Sequence, residues 1–361
     1  MNYIHALENY INNSPLFIQV LWSFCFVLLF IFILLVFLHS SLRGSLRKKE
    51  AIKKKYSEKY ETLLIQYLYS EEVSEQQKIV RLLNRDSGNN FKRNSIVNTL
   101  IKLKDEISGE LEVAILKLYD DLNLDTFAIS KLKSKNPFRM INGIRQLNIF
   151  HVKSVHAKIL EHVNHEDRLV RKEVQLYLVK LFQFEGLFFL DKLEAPLSEW
   201  NQIQLLEILK KFDNQDIPDV TAWLKSTNKF VVLFALKLVR VYNLYEKEKS
   251  LIDLLSHEDQ KVRLETIITA THLQQLSIKS VIISKFEDIS LEEQIAFLNF
   301  LKIAYEPAEV DFIHTHIYHT DFDIKRIALD LLKSNHKELY DSLDCNSEDK
   351  DFMKILNFMN A

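Results

Sequence analysis

Histidine next to glutamate is the first combination in this sequence that could do chemistry, because both side chains bind metal ions. Two such pairs occur, His165-Glu166 and His257-Glu258. Imidazole and carboxylate ligands could hold iron or zinc if both pairs met around one ion. The pairs are 92 residues apart in the chain. A shared ion therefore depends on how the intervening chain folds.

A tighter histidine group follows near the C-terminal end, at His314, His316 and His319. Residues three apart on a helix share a face, so His316 and His319 could face one ion, with Asp321 close by. His314 points to a different side of the helix than His316, and no fourth ligand is placed. Solvated histidines are the favoured interpretation, and we expect no metal, cofactor or catalytic residue.

Other catalytic signatures do not occur in the sequence. It contains no glycine-rich phosphate loop, nucleophile elbow, CxxC or HExxH motif. Only five glycines are present, which leaves little opportunity for a loop that approaches a phosphate closely. These observations predict that the chain is not an enzyme and that it does not bind a small molecule.

The elements that would position these histidines belong to a recurrence of about 31 residues. Seven anchor positions are spaced 31, 31, 30, 31, 31 and 31 residues apart. The anchors are Asn136, Asp167, Ser198, Asn228, Asp259, Ser290 and Asp321. Each has a short polar side chain that can accept hydrogen bonds from the first turn of a helix. A fixed period in this range indicates a stacked array of repeats.

Apolar residues recur at constant distances from the anchors. Positions seven and eleven residues after an anchor lie on one face of the helix that it starts. The +7 residues are Gly143, Val174, Leu205, Ala235, Thr266, Phe297 and Ala328. The +11 residues are Leu147, Leu178, Leu209, Val239, Ala270, Leu301 and Leu332. An apolar residue four or five positions before each anchor ends a first helix, so each repeat is predicted to be a helical hairpin.

Three copies carry the most specific motif: residues 165–171 read HEDRLVR, residues 257–263 read HEDQKVR and residues 319–325 read HTDFDIK. Asp followed by Val-Arg at the start of a second helix resembles the HEAT repeat of the armadillo-like superfamily. The copies at Ser198 and Ser290 have Gln202 and Gln294 at the basic position, so we interpret them as degenerate. The resemblance implies an all-α fold, with a right-handed α-solenoid of HEAT-like hairpins over residues 130–335.

The same resemblance bears on the His-Glu pairs. Deoxyhypusine hydroxylases, which are HEAT-repeat enzymes, hold two irons with His-Glu dyads at repeat positions. In this sequence the pairs precede the helix cap and lie three repeats apart. Because packed helices lie ~10 Å apart, the pairs would be ~30 Å from each other. We therefore expect turn residues with a capping role.

An uncharged apolar run at residues 16–38 predicts a membrane span. As a helix, its 23 residues would extend over roughly 34 Å, enough to cross the hydrocarbon core with some tilt. A cleaved signal peptide fits poorly, because residues 1–15 carry no Lys or Arg and no cleavage site follows. Basic residues come directly after the span, so the positive-inside rule places residues 1–15 outside and the repeats in the cytoplasm.

Residues 39–69 are predicted to form a basic helical stalk. Eight basic and two acidic residues lie between Arg43 and Tyr60, a net charge of +6. The candidate contacts to a membrane surface are Arg43, Arg47, Lys48, Lys49, Lys53, Lys54 and Lys55. They could lie against anionic headgroups. A stop-transfer flank with no further role is an equal alternative.

The remaining regions are assigned by their composition. Residues 70–129 are interpreted as irregular N-terminal helical repeats, with Ser74, Asn90 and Ser108 as candidate caps. Residues 336–361 are interpreted as C-terminal capping helices. The two cysteines, Cys25 and Cys345, are far apart and predict no disulfide framework.

Charge restricts the class of partner. Residues 61–361 hold 39 basic and 46 acidic residues, a net charge of −7, which argues against nucleic-acid binding. A row twelve residues after the anchors includes Lys210, Arg240, Lys302 and Lys333. If the second helices line a concave face, this row could contact an acidic protein segment. Cations that complement helix C-termini are the simpler interpretation.

We therefore expect a single-pass membrane protein whose cytoplasmic repeats act as a scaffold or adaptor for a protein partner. A composition rich in Ile, Lys, Asn and Phe is similar to that of chains from AT-rich bacterial genomes, which suggests a bacterial inner membrane. By analogy the partner could be a membrane machine such as a glycosyltransferase or a secretion system. The alternatives are a metal-dependent HEAT-repeat enzyme and a sensor of anionic lipid surfaces.

Overall fold

The computed structural model describes residues 5, 15–212, 217–343 and 349–360, apart from the side chains at 16–19 and 45. These residues form helices and no β-strand. They divide into two compact units, Met1–Phe127 and Ala128–Ala361. Most of the predicted N-terminal segment 1–15, and Cys345, lie outside the described residues.

The first unit is built around one long helix. Its helices are α1 Leu16–Tyr69, α2 Val73–Ser87, α3 Asn90–Glu106 and α4 Glu110–Asp121, and the division between the units falls within α5 Leu124–Leu132. The predicted span and stalk form the single helix α1. Its apolar half is long and apolar enough to cross a membrane, and the most apolar stretch is not buried against the protein.

The C-terminal part of α1 packs in the core of the first unit, where Tyr60, Leu64 and Tyr67 are buried. The carboxylate of Asp86 accepts hydrogen bonds from Lys59 Nζ at 2.8 Å, Lys92 Nζ at 3.0 Å and Tyr60 Oη at 3.1 Å. Burial acts to raise the pKa of Asp86, but these three donors lower it to about 2. Because the donors lie on α1 and α3, this carboxylate joins them to α2.

None of the three N-caps expected in this unit is at the predicted residue. The caps of α3 and α4 lie one residue from the predicted positions, and α2 has no side-chain cap. Asn89, and not Asn90, caps α3 by accepting hydrogen bonds from the amides of Phe91 and Lys92. Helix α4 begins after Gly109, whose φ of 70° suits glycine, and Ser108 is not the cap. Helix α2 begins at Val73, before Ser74, and no side chain caps it.

The second unit alternates short and long helical elements. In chain order after α5 its α-helices are α6 Pro137–Ile149, α7 His156–Leu160, α8 Arg168–Phe182, α9 Glu199–Leu209, α10 Thr221–Leu224, α11 Lys229–Val241, α12 Glu248–Leu254, α13 Gln260–Leu273, α14 Ile278–Ile283, α15 Leu291–Ala304, α16 Val310–His316, α17 Phe322–Asn335, α18 Lys337–Asp341 and α19 Lys350–Asn360. Short 3-10 helices lie at Glu185–Lys192, Tyr245–Lys247, Phe286–Asp288 and Pro307–Glu309.

All seven predicted anchors are helix N-caps. Each side-chain oxygen accepts a hydrogen bond from a backbone amide in the first turn of the helix that follows. These seven helices, called the second helices below, are α6, α8, α9, α11, α13, α15 and α17. The +7 and +11 residues and the apolar residues before the anchors are buried, as the periodicity predicts.

The elements before the anchors are shorter than the predicted first helices. They range from the four residues of α10 to the nine of α5, and in the third repeat the element is the 3-10 helix Glu185–Lys192. A second helix of 11 to 15 residues and two turns leave little of a 31-residue repeat for another helix. Each repeat is therefore a long helix paired with a short helical segment.

Glycine at one +7 position has a packing reason. A Cβ on Gly143 would lie 2.8 Å from the carbonyl oxygen of Ala128 and 2.9 Å from Cβ of Lys131. Both atoms belong to α5, so the short first helix of this repeat approaches the backbone of α6 directly. Only glycine allows that approach without a shift of the backbone.

Four second helices end in a left-handed residue that is not glycine. His151, Gln183, Asn243 and Gln274 have φ between 52° and 55°. This conformation costs roughly 1–2 kcal/mol for a residue with a Cβ. The sharp reversal it produces starts the next short segment, in a chain that has few glycines to serve that purpose.

Most consecutive second helices pack against each other. The contacts join α6 to α8, α8 to α9, α11 to α13, α13 to α15 and α15 to α17. Among the described residues, α9 and α11 are the consecutive pair that does not pack closely. A cavity lies between these two helices.

Candidate partner-binding surface

Three of the histidines that were considered as metal ligands, and expected not to bind metal, have structural roles in the turns. The Nδ1 atoms of His165, His257 and His319 each accept a hydrogen bond of 3.0 Å from the backbone amide two residues later, at the N-cap. A neutral ring that accepts at Nδ1 carries its proton on Nε2, which leaves no free lone pair for a metal ion. The expectation that the histidines of the two His-Glu pairs are turn residues with a capping role is confirmed, and His319, which was expected to be solvated, has the same role.

His316 departs from the expected solvated histidine because it is buried. Its ring lies between the rings of Phe286 and Phe312, with centroid distances of 4.6 and 4.3 Å. Nδ1 is 2.7 Å from the carbonyl oxygen of Phe312, and Nε2 is 3.2 Å from Oε1 of Glu287. The expectation was wrong at this residue because its face of α16 packs on aromatic side chains.

In four of the seven repeats, the fourth residue after the anchor connects the second helix to the preceding turn. Arg171 donates to the carbonyl oxygens of His165 and Glu166, and Arg263 to those of His257 and Glu258. In the repeats interpreted as degenerate, glutamine makes the same kind of bond. Gln202 Nε2 donates to the Leu197 carbonyl at 3.1 Å, and Gln294 Nε2 to the Phe286 carbonyl at 2.7 Å.

The predicted basic row is largely paired within the chain. Arg240 lies 3.3 Å from Glu265 of α13, and Lys302 lies 2.5 Å from Asp330 of α17. Lys333 donates to the Met359 carbonyl and lies over the ring of Tyr340. Lys210 is exposed, 3.8 Å from Glu207. Partner binding by this row remains a prediction, but three of its cations bond to another helix.

A further ion pair closes the junction of α13 and α15. The guanidinium of Arg263 donates to the carboxylate of Glu293 at 2.8 and 3.1 Å. Glu293 is 1% exposed. Burial acts to raise the pKa of Glu293, but hydrogen bonds from Arg263 and Ser290 outweigh it, so its pKa is lowered. We call this contact the closed junction.

The junction between α9 and α11 contains a cavity of about 190 Å³. Leu197, Phe230 and Leu233 supply apolar walls, and Gln202 also lines the cavity. Ser198 and six charged residues complete the lining: Glu199, Lys229, Lys237, Asp259, Lys261 and Glu265. We call this place the open junction.

Two ion pairs border the open junction. Lys229 lies 2.7 Å from Asp259, and Lys261 reaches across from α13 to Glu199 of α9. Hydrogen bonding by Lys261, together with the charges of Lys261 and Lys237, lowers the pKa of Glu199. Lys237 itself is half-buried and has no ion-pair partner within 4 Å among the described residues.

Gln202 also has an unmet hydrogen-bonding atom at the open junction. The residue is 1% exposed, and its Oε1 has no hydrogen-bond partner. A buried amide oxygen without a donor costs about 1–3 kcal/mol. No hydrogen bond within the described residues offsets this loss of stability at Gln202.

Apolar side chains also lie exposed near the N-terminal ends of α6, α8 and α9. Phe138, Leu169 and Trp200, each two residues after an anchor, are 72%, 45% and 63% exposed. The next residue at this position is Phe230, which lines the cavity. Sequence reasoning missed this row, although large apolar residues at a constant +2 position, outside the buried stripe, are a readable signal.

The predicted membrane-surface cations lie along α1. Arg43, Arg47 and Lys48 are exposed, as are Lys49, Lys53, Lys54 and Lys55. Of these residues, only Lys54 has an ion pair among the described residues, at 3.9 Å from Glu58. Their charge is therefore available to a surface outside the chain.

No protein-family model and no curated protein matches this sequence. A crystal structure of an engineered protein is similar to it at 14% sequence identity. The alignment covers 82% of this chain and 97% of the engineered chain, with a TM-score of 0.32. A similarity at that level supports no conclusion about the fold or the function of this chain.

Proposed function

We propose that this chain is a single-span membrane protein whose second unit, a right-handed HEAT-like solenoid, binds a protein partner at the membrane. The observation that carries the proposal is the regular succession of seven capped second helices. Stacked repeats of this kind present extended surfaces that usually bind proteins. The apolar half of α1, which the protein leaves uncovered, supports the anchor.

The proposed orientation follows from charge. The basic residues of α1 come directly after the apolar segment, so residues 1–15 would lie outside and the repeats in the cytoplasm, at a bacterial inner membrane. The anchor would keep the repeats close to the bilayer. It would thereby raise their effective concentration for a partner in the same membrane, such as a subunit of a membrane machine.

The proposal is tested by photocrosslinking in cells that normally contain the chain. A photoreactive amino acid replaces Trp200 in the full-length protein, and the matched control carries it at the exposed residue Val113 of the first unit. We expect a protein adduct from position 200, absent from position 113 and lost when residues 16–38 are deleted. A chain extracted from membranes by alkaline washing, or lipid adducts alone, would contradict the proposal.

A second candidate, an anionic-lipid sensor, is favoured by the exposed cations of α1. Each basic residue near an anionic surface contributes about 1 kcal/mol, and salt screens that attraction. No comparable observation favours the metal-dependent alternative, since the rings of His165, His257, His316 and His319 bond to backbone groups or Glu287. Salt-sensitive binding of residues 39–361 to anionic vesicles would favour the lipid sensor over the scaffold.

A further inference from the structure

We propose that Phe138, Leu169 and Trp200, which we call the apolar row, bind an amphipathic helix of the partner protein. The helix has apolar residues seven apart and carboxylates near its N-terminal end, which lies over α6. This inference rests on the proposed function, because it identifies where and how the partner binds. Three properties of the row carry it: its exposure on neighbouring helices, its spacing and the charges at one of its ends.

The apolar row lies on one side of three packed helices. Each member is exposed and comes two residues after the anchor that caps its helix. At roughly 100° per residue, position +2 is about 160° around a helix from the buried stripe at +7 and +11. Because α6 packs on α8 and α8 packs on α9, the three side chains lie on the solvent side of one continuous surface. A contiguous exposed apolar patch of this kind marks an interaction site.

The spacing of the row selects a helix as the ligand. Packed helices lie ~10 Å apart, so consecutive members of the row are separated by about that distance. An α-helix returns to nearly the same face every seven residues and rises about 10.5 Å in doing so. Side chains on one face of a β-strand recur about every 6.7 Å, so they do not match the row. A helix laid across α6, α8 and α9 therefore places one apolar side chain on each member.

Polar residues border the apolar row and limit the width of the ligand's apolar stripe. On the same side of the helices, position +9 is occupied by Arg145, which lies 2.6 Å from Glu173 of α8, and by the exposed Glu207 of α9. Ile203, one turn after Trp200, is an exposed apolar neighbour on α9. The surface therefore fits a helix that has a narrow apolar stripe and polar flanks.

The charges at one end of the row select the direction of the ligand. Three exposed cations near Phe138 have no ion pair among the described residues: Lys133, Lys135 and Arg139. Toward α9 the charges offset each other, because Arg168 follows Asp167 in the chain and Glu199 pairs with Lys261. Carboxylates over α6 are therefore attracted, whereas carboxylates over α9 are not. Because carboxylates stabilise the N-terminal end of a helix, that end of the ligand lies over α6.

The experiment measures binding of a fluorescein-labelled helical peptide to the full chain in neutral-lipid nanodiscs, with empty nanodiscs as the blank. The peptide has three leucines at seven-residue spacing, glutamates before the first leucine, and alanine and glutamine elsewhere. One matched peptide distributes the leucines over all faces of the helix, and another replaces the glutamates with lysines. We expect each change to raise the dissociation constant, measured by fluorescence anisotropy, about tenfold or more.

Protein variants locate the binding. Trp200→Gln should raise the dissociation constant about tenfold, whereas Tyr245→Gln, which removes an exposed aromatic ring outside the row, should leave it unchanged. Arg139→Glu should weaken binding of the glutamate peptide and strengthen binding of the lysine peptide. Lys180→Glu, the same kind of charge change at the other end of α8, should alter neither. Thermal unfolding of each variant distinguishes a lost contact from a lost fold.

Four outcomes overturn the helix-binding row: equal affinity for the patterned and scattered peptides, equal losses in Trp200→Gln and Tyr245→Gln, lipid adducts alone from position 200 in membranes, and adducts from that position with a second copy of this chain. If the peptides fail while crosslinking from position 200 captures another protein, the proposed scaffold function survives. If the peptides bind as expected but no protein adduct forms in membranes, the scaffold function fails instead.

Discussion

The closed junction of α13 and α15 and the open junction of α9 and α11 occupy equivalent places in the repeat, yet only one is filled. At the closed junction the +4 residue Arg263 pairs with Glu293, the +3 residue of the next repeat. At the open junction the +4 residue is the neutral Gln202, and the next +3 residue is Val231. No cross-helix ion pair can form between these two positions.

An ion pair between these two positions strengthens a junction but does not decide whether it closes, because α15 packs on α17 with Gln294 and Ile324 there. A buried carboxylate needs its cation, so Arg263 and Glu293 hold α13 and α15 together. Glutamine still connects its own helix to the preceding turn, which preserves the repeat. It offers no charge to the next helix, but neither does Gln294, and α15 still packs on α17.

The largest expected effect is at the closed junction. Arg263→Ala leaves Glu293 buried without its cation and should lower the free energy of unfolding by about 3–5 kcal/mol. Arg326→Ala, which removes an exposed pair with Asp323 within one helix, should change it by less than about 0.5 kcal/mol. Urea denaturation followed by circular dichroism measures both. Equal effects of the two variants would show that the closed junction is not held by this pair.

Acid should weaken the closed junction selectively. The folded state lowers the pKa of Glu293, so its contribution to stability is complete above the ordinary glutamate pKa of 4.5 and is lost as pH falls through the lowered value. Denaturation from pH 7 to pH 3 should show a smaller acid-dependent loss for Glu293→Gln than for the unaltered chain. Parallel pH profiles would contradict the assigned role of Glu293.

The two glutamines at the +4 position offer a direct comparison. Gln202→Leu and Gln294→Leu each remove one hydrogen bond to a turn carbonyl, but only Gln202 has an orphaned buried oxygen. We expect Gln202→Leu to be less destabilising than Gln294→Leu by about 1 kcal/mol. Thermal unfolding of the two variants checks the difference. A larger loss for Gln202→Leu would mean that its Oε1 is satisfied.

The smallest expected effect is at Lys237. Because this side chain is half-buried and has no ion pair among the described residues, Lys237→Gln should change the free energy of unfolding by less than about 0.5 kcal/mol. A strong loss of stability would assign Lys237 a structural role. It would mean that a charged side chain holds the open junction together, as at the closed junction.

The helical repeat was largely predictable from sequence, because it depends on local chemistry. Asn136 and the other six anchors cap helices through their own side chains, and the buried residues at +7 and +11 follow from the period of an α-helix. The short first elements could not be predicted, because an apolar residue such as Leu224 marks where a segment ends and not how long it is.

The candidate site was less accessible from sequence. We interpreted Gln202 as a sign of a degenerate repeat. In the structure, its side chain replaces arginine in the hydrogen bond to the preceding turn but forms no ion pair with the next second helix. The cations of the +12 row looked free because their partners lie on another helix, as Glu265 does for Arg240. Cavities depend on the packing of helices that are far apart in the chain, which periodicity does not encode.

Hydrogen exchange measured by mass spectrometry on the full chain in detergent tests the contrast between the two junctions most directly. Local stability sets the protection of backbone amides, so amides of α13 and α15 should exchange more slowly than those of α9. Equal protection of α9 and α13 would contradict the account.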